Sequence, residues 1–112
     1  MSRIQKAFEN KKAFIAFLTA GDPSLDKTEE YILEMERAGA DLIEIGIPFS
    51  DPIAEGLVIQ EADIRALSGG VTTDDIFDMV KKLREKTEIP LVFMTYLNPC
   101  LLYTSDAADD LI

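Results

Sequence analysis

The chain has 112 residues, 47% of them hydrophobic, which is enough apolar material for the core of one domain and excludes general disorder. Eleven basic residues against 21 acidic ones leave a net charge of −10, which argues against a nucleic-acid partner and against docking on an anionic membrane surface. A small phosphorylated substrate stays open, because a few backbone N–H groups at a helix start can hold one.

Ser2 followed by Gln5 is a capping-box pattern that predicts a short helix with Ile4, Ala7 and Phe8 on one face, ended by Asn10, Lys11 and Lys12. The run from Ala13 to Thr19 is continuously apolar, the pattern of a strand buried on both faces. Gly21-Asp22-Pro23 breaks it as a turn. Thr28, Tyr31, Ile32, Met35 and Ala38 recur at helical spacing, and Gly39 stands where a helix C-terminal glycine belongs. Leu42 to Gly46 predicts a second strand, followed by a proline- and acid-containing loop from Ile47 to about Leu57. A third helix is expected with Ile59, Ala62, Ala66 and Leu67 on one face, stopping at Gly69-Gly70. Thr72-Thr73 can cap a fourth, carrying Ile76, Phe77, Val80 and Leu83, and Pro90 to Tyr96 predicts a third strand. Strands alternating with helices in this way imply an α/β fold with a parallel sheet, and periodicity alone leaves a doubly wound sheet and a (β/α)8 barrel both open.

Glu44 is the most informative residue. Side chains alternate across a strand, so it shares a face with Leu42 and Gly46 while Ile43 and Ile45 point the other way. An ionised carboxylate among apolar neighbours is costly unless paired, which makes it either a candidate general acid or base or a structural glutamate meeting a lysine or backbone donors. It lies near the carboxyl end of its strand, where α/β enzymes gather their active sites. The following loop adds Asp51 and Glu55, which can serve a second proton-transfer role or simply solvate the connection. Phe17 and Tyr96, at the same end of the first and third strands, could flank a flat aromatic substrate or belong to the core.

The chain contains no histidine, so acid–base work falls to carboxylates, Lys, Tyr or the single Cys100. Cys100 has no histidine to activate it and forms no intrachain disulfide. No P-loop, dinucleotide fingerprint or metal spacing is present in the sequence, and no apolar run approaches the ~20 residues that span a bilayer. A soluble, cytoplasmic protein is the expectation.

The segment Gly39-Ala40-Asp41-Leu42-Ile43-Glu44-Ile45-Gly46-Ile47-Pro48-Phe49-Ser50-Asp51-Pro52 resembles the signature of the tryptophan synthase alpha subunit family almost residue for residue. Thr19-Ala20-Gly21-Asp22-Pro23, Ile59-Gln60 and Gly69-Gly70-Val71-Thr72 match in order and spacing, so the resemblance covers roughly residues 1–99. It implies a (β/α)8 TIM barrel, of which only the first three or so βα units are present here. It also implies retro-aldol cleavage of indole-3-glycerol phosphate to indole and glyceraldehyde 3-phosphate. By the same resemblance Glu44 is the catalytic glutamate, shuttling a proton between indole C3 and the glycerol hydroxyl. Glu55 stands where the family usually has an aspartate on the indole N–H, and Leu57 where it commonly has proline. Phe17 and Tyr96 match positions lining the indole pocket. Pro48, Phe49, Ser50, Asp51 and Asn98 match the surface that meets the beta subunit, the partner in an alpha2-beta2 tetramer, which carries the pyridoxal phosphate. The alpha subunit needs no cofactor of its own.

A whole barrel takes about 250 residues, and the family's phosphate site lies in later βα loops. The chain by itself is therefore expected to be marginal, aggregation-prone and inactive. Cys100 to Ile112 do not continue the family's pattern and look like translated adapter sequence, the alternative being a divergent terminus with a short helix. A binding module that engages the beta subunit without catalysis, and a different phosphate-binding barrel, are the competing readings.

Overall fold

The three apolar stretches pair as a parallel sheet in the order β1 (Ile15–Thr19), β2 (Leu42–Gly46) and β3 (Leu91–Met94). The computed structural model describes residues 3–9, 12–49 and 56–95. Parallel neighbours need crossovers, and here these are helical. A short α1 (Arg3–Ala7) comes first, α2 (Leu25–Arg37) joins β1 to β2, and α3 (Leu57–Ser68) with α4 (Thr73–Leu83) lies between β2 and β3. The expected order of elements is the observed one.

The register decides which side chains share a face. Phe17 pairs with Glu44 and Glu44 with Val92; Thr19 pairs with Gly46 and Gly46 with Met94. Paired residues of parallel strands point the same way, so Ala16, Leu18, Ile43, Ile45, Leu91 and Phe93 form one face. Against it pack Ile32 of α2 and Ile76, Phe77, Val80 and Leu83 of α4, making the core cluster. The Phe77 ring meets Phe93 edge-on at 5.1 Å between centroids, which ties α4 to β3.

The opposite face carries Ile15, Phe17, Thr19, Leu42, Glu44, Gly46, Val92 and Met94, and among the described residues it is exposed in part, while Leu42 and Thr19 on it are buried. Ile15 is 41% exposed, Phe17 37% and Met94 48%. This corrects the expectation that the run from Ala13 to Thr19 is buried on both faces. The strand begins at Ile15, and on this face only its last residue, Thr19, is buried, because α2 and α4 both pack on the other face. β2 is buried at every position except Glu44, which is half-buried.

Local chemistry sets the helix ends. Gly39 follows α2 with φ +112, the left-handed conformation that its missing Cβ permits, and Gly70 does the same after α3. At α4 the Thr72 hydroxyl accepts from the Asp75 N–H and the Asp75 carboxylate accepts from the Thr72 N–H, both at 3.1 Å. This reciprocal capping box satisfies two backbone donors that the helix cannot. Thr72→Ala is expected to cost about 1 kcal/mol. It should appear as a lower urea midpoint with an unchanged m-value, and a midpoint equal to the parent's would show the cap to be idle.

The helix faces were legible to different degrees. All four predicted apolar positions of α4 are buried. In α2, Thr28 and Ile32 are buried while Tyr31 and Ala38 are exposed, and in α1 Ala7 is buried while Phe8 is exposed. In α3, Ala62 and Ala66 are buried as expected, Ile59 is half-buried and Leu67 is exposed. Asp63, absent from the expected face, is buried beside them. Among the described residues no helix is long and apolar enough to cross a membrane.

Candidate functional site

The carboxyl ends of the three strands lie together, and the first two are each extended by a backbone bond across the sheet. The Ala20 N–H donates to the Gly46 carbonyl and the Ile47 N–H to the Met94 carbonyl, both at 2.9 Å. Glu44 projects from the central strand onto the open face, flanked in register by Phe17 and Val92. Neither neighbour can pair a carboxylate. Among the described residues Glu44 has no hydrogen-bond or ion-pair partner, so the structural reading, a glutamate held by a lysine or by neighbouring donors, finds no support there.

Phe17 and Glu44 are brought together as the sequence led one to expect. The ring of Phe17 reaches diagonally across to Gly46, two residues beyond Glu44 on the same face. A Cβ at Gly46 would stand 2.8 Å from Phe17 Cζ and 3.1 Å from Cε2. The glycine therefore makes the seat for the ring, and the ring puts an apolar wall beside the carboxylate. Gly46→Ala should force the ring off its seat at a cost of about 1–3 kcal/mol, the usual range for overpacking. A second change, Phe17→Leu, should recover part of that loss. If Gly46→Ala melts at the parent's temperature, the ring is not seated there.

Pro48 is buried and Phe49 half-buried just past β2. The remaining predicted site residues, Ser50, Asp51, Glu55, Tyr96 and Asn98, lie outside the described residues.

Two cavities help to locate the chemistry. One, of about 320 Å³, opens at the amino ends of the strands among Arg3, Glu36, Asp41 and Glu88. That end of an α/β sheet serves stability rather than catalysis. The other, of about 300 Å³, lies beside the carboxyl end of β1 among Phe17, Asp22, Tyr31, Val58, Ala62 and Arg65. Glu44 does not line it, so this cavity adjoins the carboxylate rather than containing it.

The second cavity exposes an ion pair that was not anticipated. Arg65 Nε donates to Asp22 Oδ1 at 2.9 Å and Arg65 Nη2 to Asp22 Oδ2 at 3.0 Å, a two-pronged contact that raises the guanidinium pKa. A trace of it is in the sequence: Arg65 is the lone cation of α3 and stands three residues after the buried Ala62.

Comparison with known proteins follows the same residues. The family model described as Tryptophan synthase alpha chain matches residues 4–110. The tryptophan synthase alpha chain of Geotalea uraniireducens is 53% identical over 108 residues, covering 92% of this chain and 40% of that relative. That of Citrifermentans bemidjiense is 51% identical over 111 residues. Among solved structures, tryptophan synthase subunit alpha from Legionella pneumophila superposes with a TM-score of 0.92 at 38% identity, over 99% of this chain and 46% of that one. The tryptophan synthase complex from Pyrococcus furiosus gives a TM-score of 0.77 at 43% identity, over 82% of this chain and 38% of that one. These neighbours are TIM barrels, and the three-stranded parallel sheet with its helices is the corresponding part of one. The chain spans about 40% of the length of the curated relatives it matches. Matched over nearly its whole length, in sequence and in strand order alike, the chain belongs to the tryptophan synthase alpha chain family.

Proposed function

We propose that this chain carries the acid–base residues of a carbon–carbon lyase that cleaves indole-3-glycerol phosphate to indole and glyceraldehyde 3-phosphate. The observation that carries the reading is Glu44, a carboxylate on the central strand with no hydrogen-bond or ion-pair partner among the described residues, beside the ring of Phe17. In the retro-aldol step the bond between indole C3 and the glycerol carbon breaks, and its electron pair returns to the indole ring. One proton arrives at C3 and one leaves the glycerol hydroxyl. A single carboxyl group between the two atoms can perform both transfers, giving in one and taking in the other. Glu55 is assigned to accept from the indole N–H, which supports charge on the ring. Phe17 and Tyr96 flank the indole plane.

The substrate's phosphate is assigned to the part of the barrel that this chain does not span. Pro48, Phe49, Ser50, Asp51 and Asn98 are assigned to the contact with a beta subunit, a reading supported by the solved tryptophan synthase complex from Pyrococcus furiosus among the similar structures, and pyridoxal phosphate is assigned to that subunit, with no cofactor on this chain.

The test completes the barrel. Residues 1–99 replace the matching stretch of the Geotalea uraniireducens protein, and indole release from indole-3-glycerol phosphate is followed by absorbance. Turnover that depends on Glu44 supports the reading. A folded graft that captures the beta subunit and releases no indole would leave the non-catalytic binding module as the better account.

A further inference from the structure

We propose that the cavity at the amino ends of the strands binds a zwitterion of the α-amino-acid class, its carboxylate met by Arg3 and Lys6 and its ammonium by Glu88. The site is independent of the reaction proposed above, which belongs to the other end of the sheet.

The cavity, of about 320 Å³, is walled by three kinds of group. Its size falls at the lower end of the range for small-molecule sites, about 300–1,000 Å³. Arg3 and Lys6, three residues apart on α1, supply two cations, and neither makes a hydrogen bond or ion pair among the described residues. Glu88 supplies a carboxylate that is likewise uncommitted among them. The other two acids of the wall are already engaged. Glu36 accepts from the Thr87 hydroxyl at 2.6 Å, and Asp41 from the Phe14 N–H at 2.8 Å. Ala7, Ala40, Ile89 and Pro90 form an apolar remainder that suits a short hydrocarbon side chain.

Arg84 adds an independent observation. It caps the carboxyl end of α4, and its Nη1 donates to the carbonyl of Ile89 at 2.6 Å, so the guanidinium stands behind the Ile89 wall. Its Nε and Nη2 are buried without an acceptor among the described residues, which is costly for a charged group. Burial, and after it the charge of Arg3, lower its pKa, while Glu88 and Glu36 raise it. Arg3, Lys6 and Arg84 therefore face Glu36, Asp41 and Glu88 around the cavity, and their charges sum to zero. A free anion finds no net attraction there and is repelled by a chain that carries −10. A zwitterion is neutral as a whole, so that long-range field does not oppose it. At close range it sets each of its charges against an uncommitted group of opposite sign. Its carboxylate also brings an acceptor to the one end of the molecule where Arg84 lacks two.

The test is calorimetric titration of L-leucine into the 112-residue chain and into the completed barrel. Three further probes are 4-methylpentanoate, which lacks the ammonium, 3-methylbutylamine, which lacks the carboxylate, and inorganic phosphate. The expected result is saturable binding of one leucine per chain, with both truncated probes bound about 10- to 100-fold more weakly, the worth of one hydrogen bond to a charged group. Arg3→Ala combined with Lys6→Ala, and separately Glu88→Gln, should each weaken leucine by a similar factor and leave indole release by the completed barrel unchanged. Arg84→Lys should weaken leucine and spare 3-methylbutylamine. Leucine should also raise the melting temperature of the parent and not that of the Arg3 and Lys6 double variant. Absence of saturable leucine binding in both proteins overturns the site. Binding of 4-methylpentanoate or phosphate as tight as that of leucine makes it a plain anion site and overturns the zwitterion. Parental affinity in the double variant or in Glu88→Gln places the ligand elsewhere and overturns the assignment.

Discussion

In the completed barrel, Glu44→Gln is expected to lower kcat by about 100- to 10,000-fold, the range that general acid–base catalysis contributes. The amide keeps the shape of the side chain and removes its capacity to give and take a proton. Glu44 makes no hydrogen bond or ion pair among the described residues, so the change breaks no polar contact within them, and the variant should melt with its parent. KM should move little, because the lost interaction belongs to the transition state. A variant that instead raises KM at constant kcat would make Glu44 a substrate contact. One that turns over at the parental rate would remove the basis of the proposed reaction. A collapse in stability would revive the structural reading of this residue.

The second large effect concerns the fold and separates the two faces of the sheet. Ile45 is fully buried between β2 and the helices, and truncation to alanine removes three heavy atoms from a close-packed site. Ile45→Ala should cost about 2–5 kcal/mol, a large share of the 5–15 kcal/mol that holds an ordinary domain together. Ile15 lies on the open face, and Ile15→Ala should stay within about 0.5 kcal/mol, as exposed substitutions do. Urea midpoints of the two variants of the 112-residue chain measure the contrast. Equal losses would show that the open face is covered in solution, for which a second copy of the chain is the simplest partner. A difference of a few kcal/mol would confirm that Ile45 belongs to the core and that Ile15 lies outside it.

The candidate site was unevenly legible. Glu44 could be placed on its face from three residues of context, because a strand's period of two is a local rule. Its lack of a partner could not, since that depends on β1 and β3, which register puts beside it. Phe17 and Glu44 were each picked out separately, and the seat of the ring on Gly46 appears only once the strands are paired. The Asp22–Arg65 pair spans 43 residues of chain and left as its trace the lone cation of α3. α3 was the least legible helix because its buried side is made of small residues, which give a weak periodic signal, and because it buries Asp63.

The sequence by itself determined the order of strands and helices, the caps at Thr72 and Gly39, the face on which Glu44 stands, and the family through the stretch from Gly39 to Pro52. These follow from neighbours within one or two turns of the chain, where periodicity, capping and turn chemistry act. The tertiary structure decided which face of the sheet the helices cover, that Glu44 has no polar partner among the described residues, that Phe17 rests on Gly46, and that Arg65 reaches Asp22. Each of these requires groups far apart in the chain to meet, and the cost of bringing them together is met by the packing of the whole core rather than by any local preference.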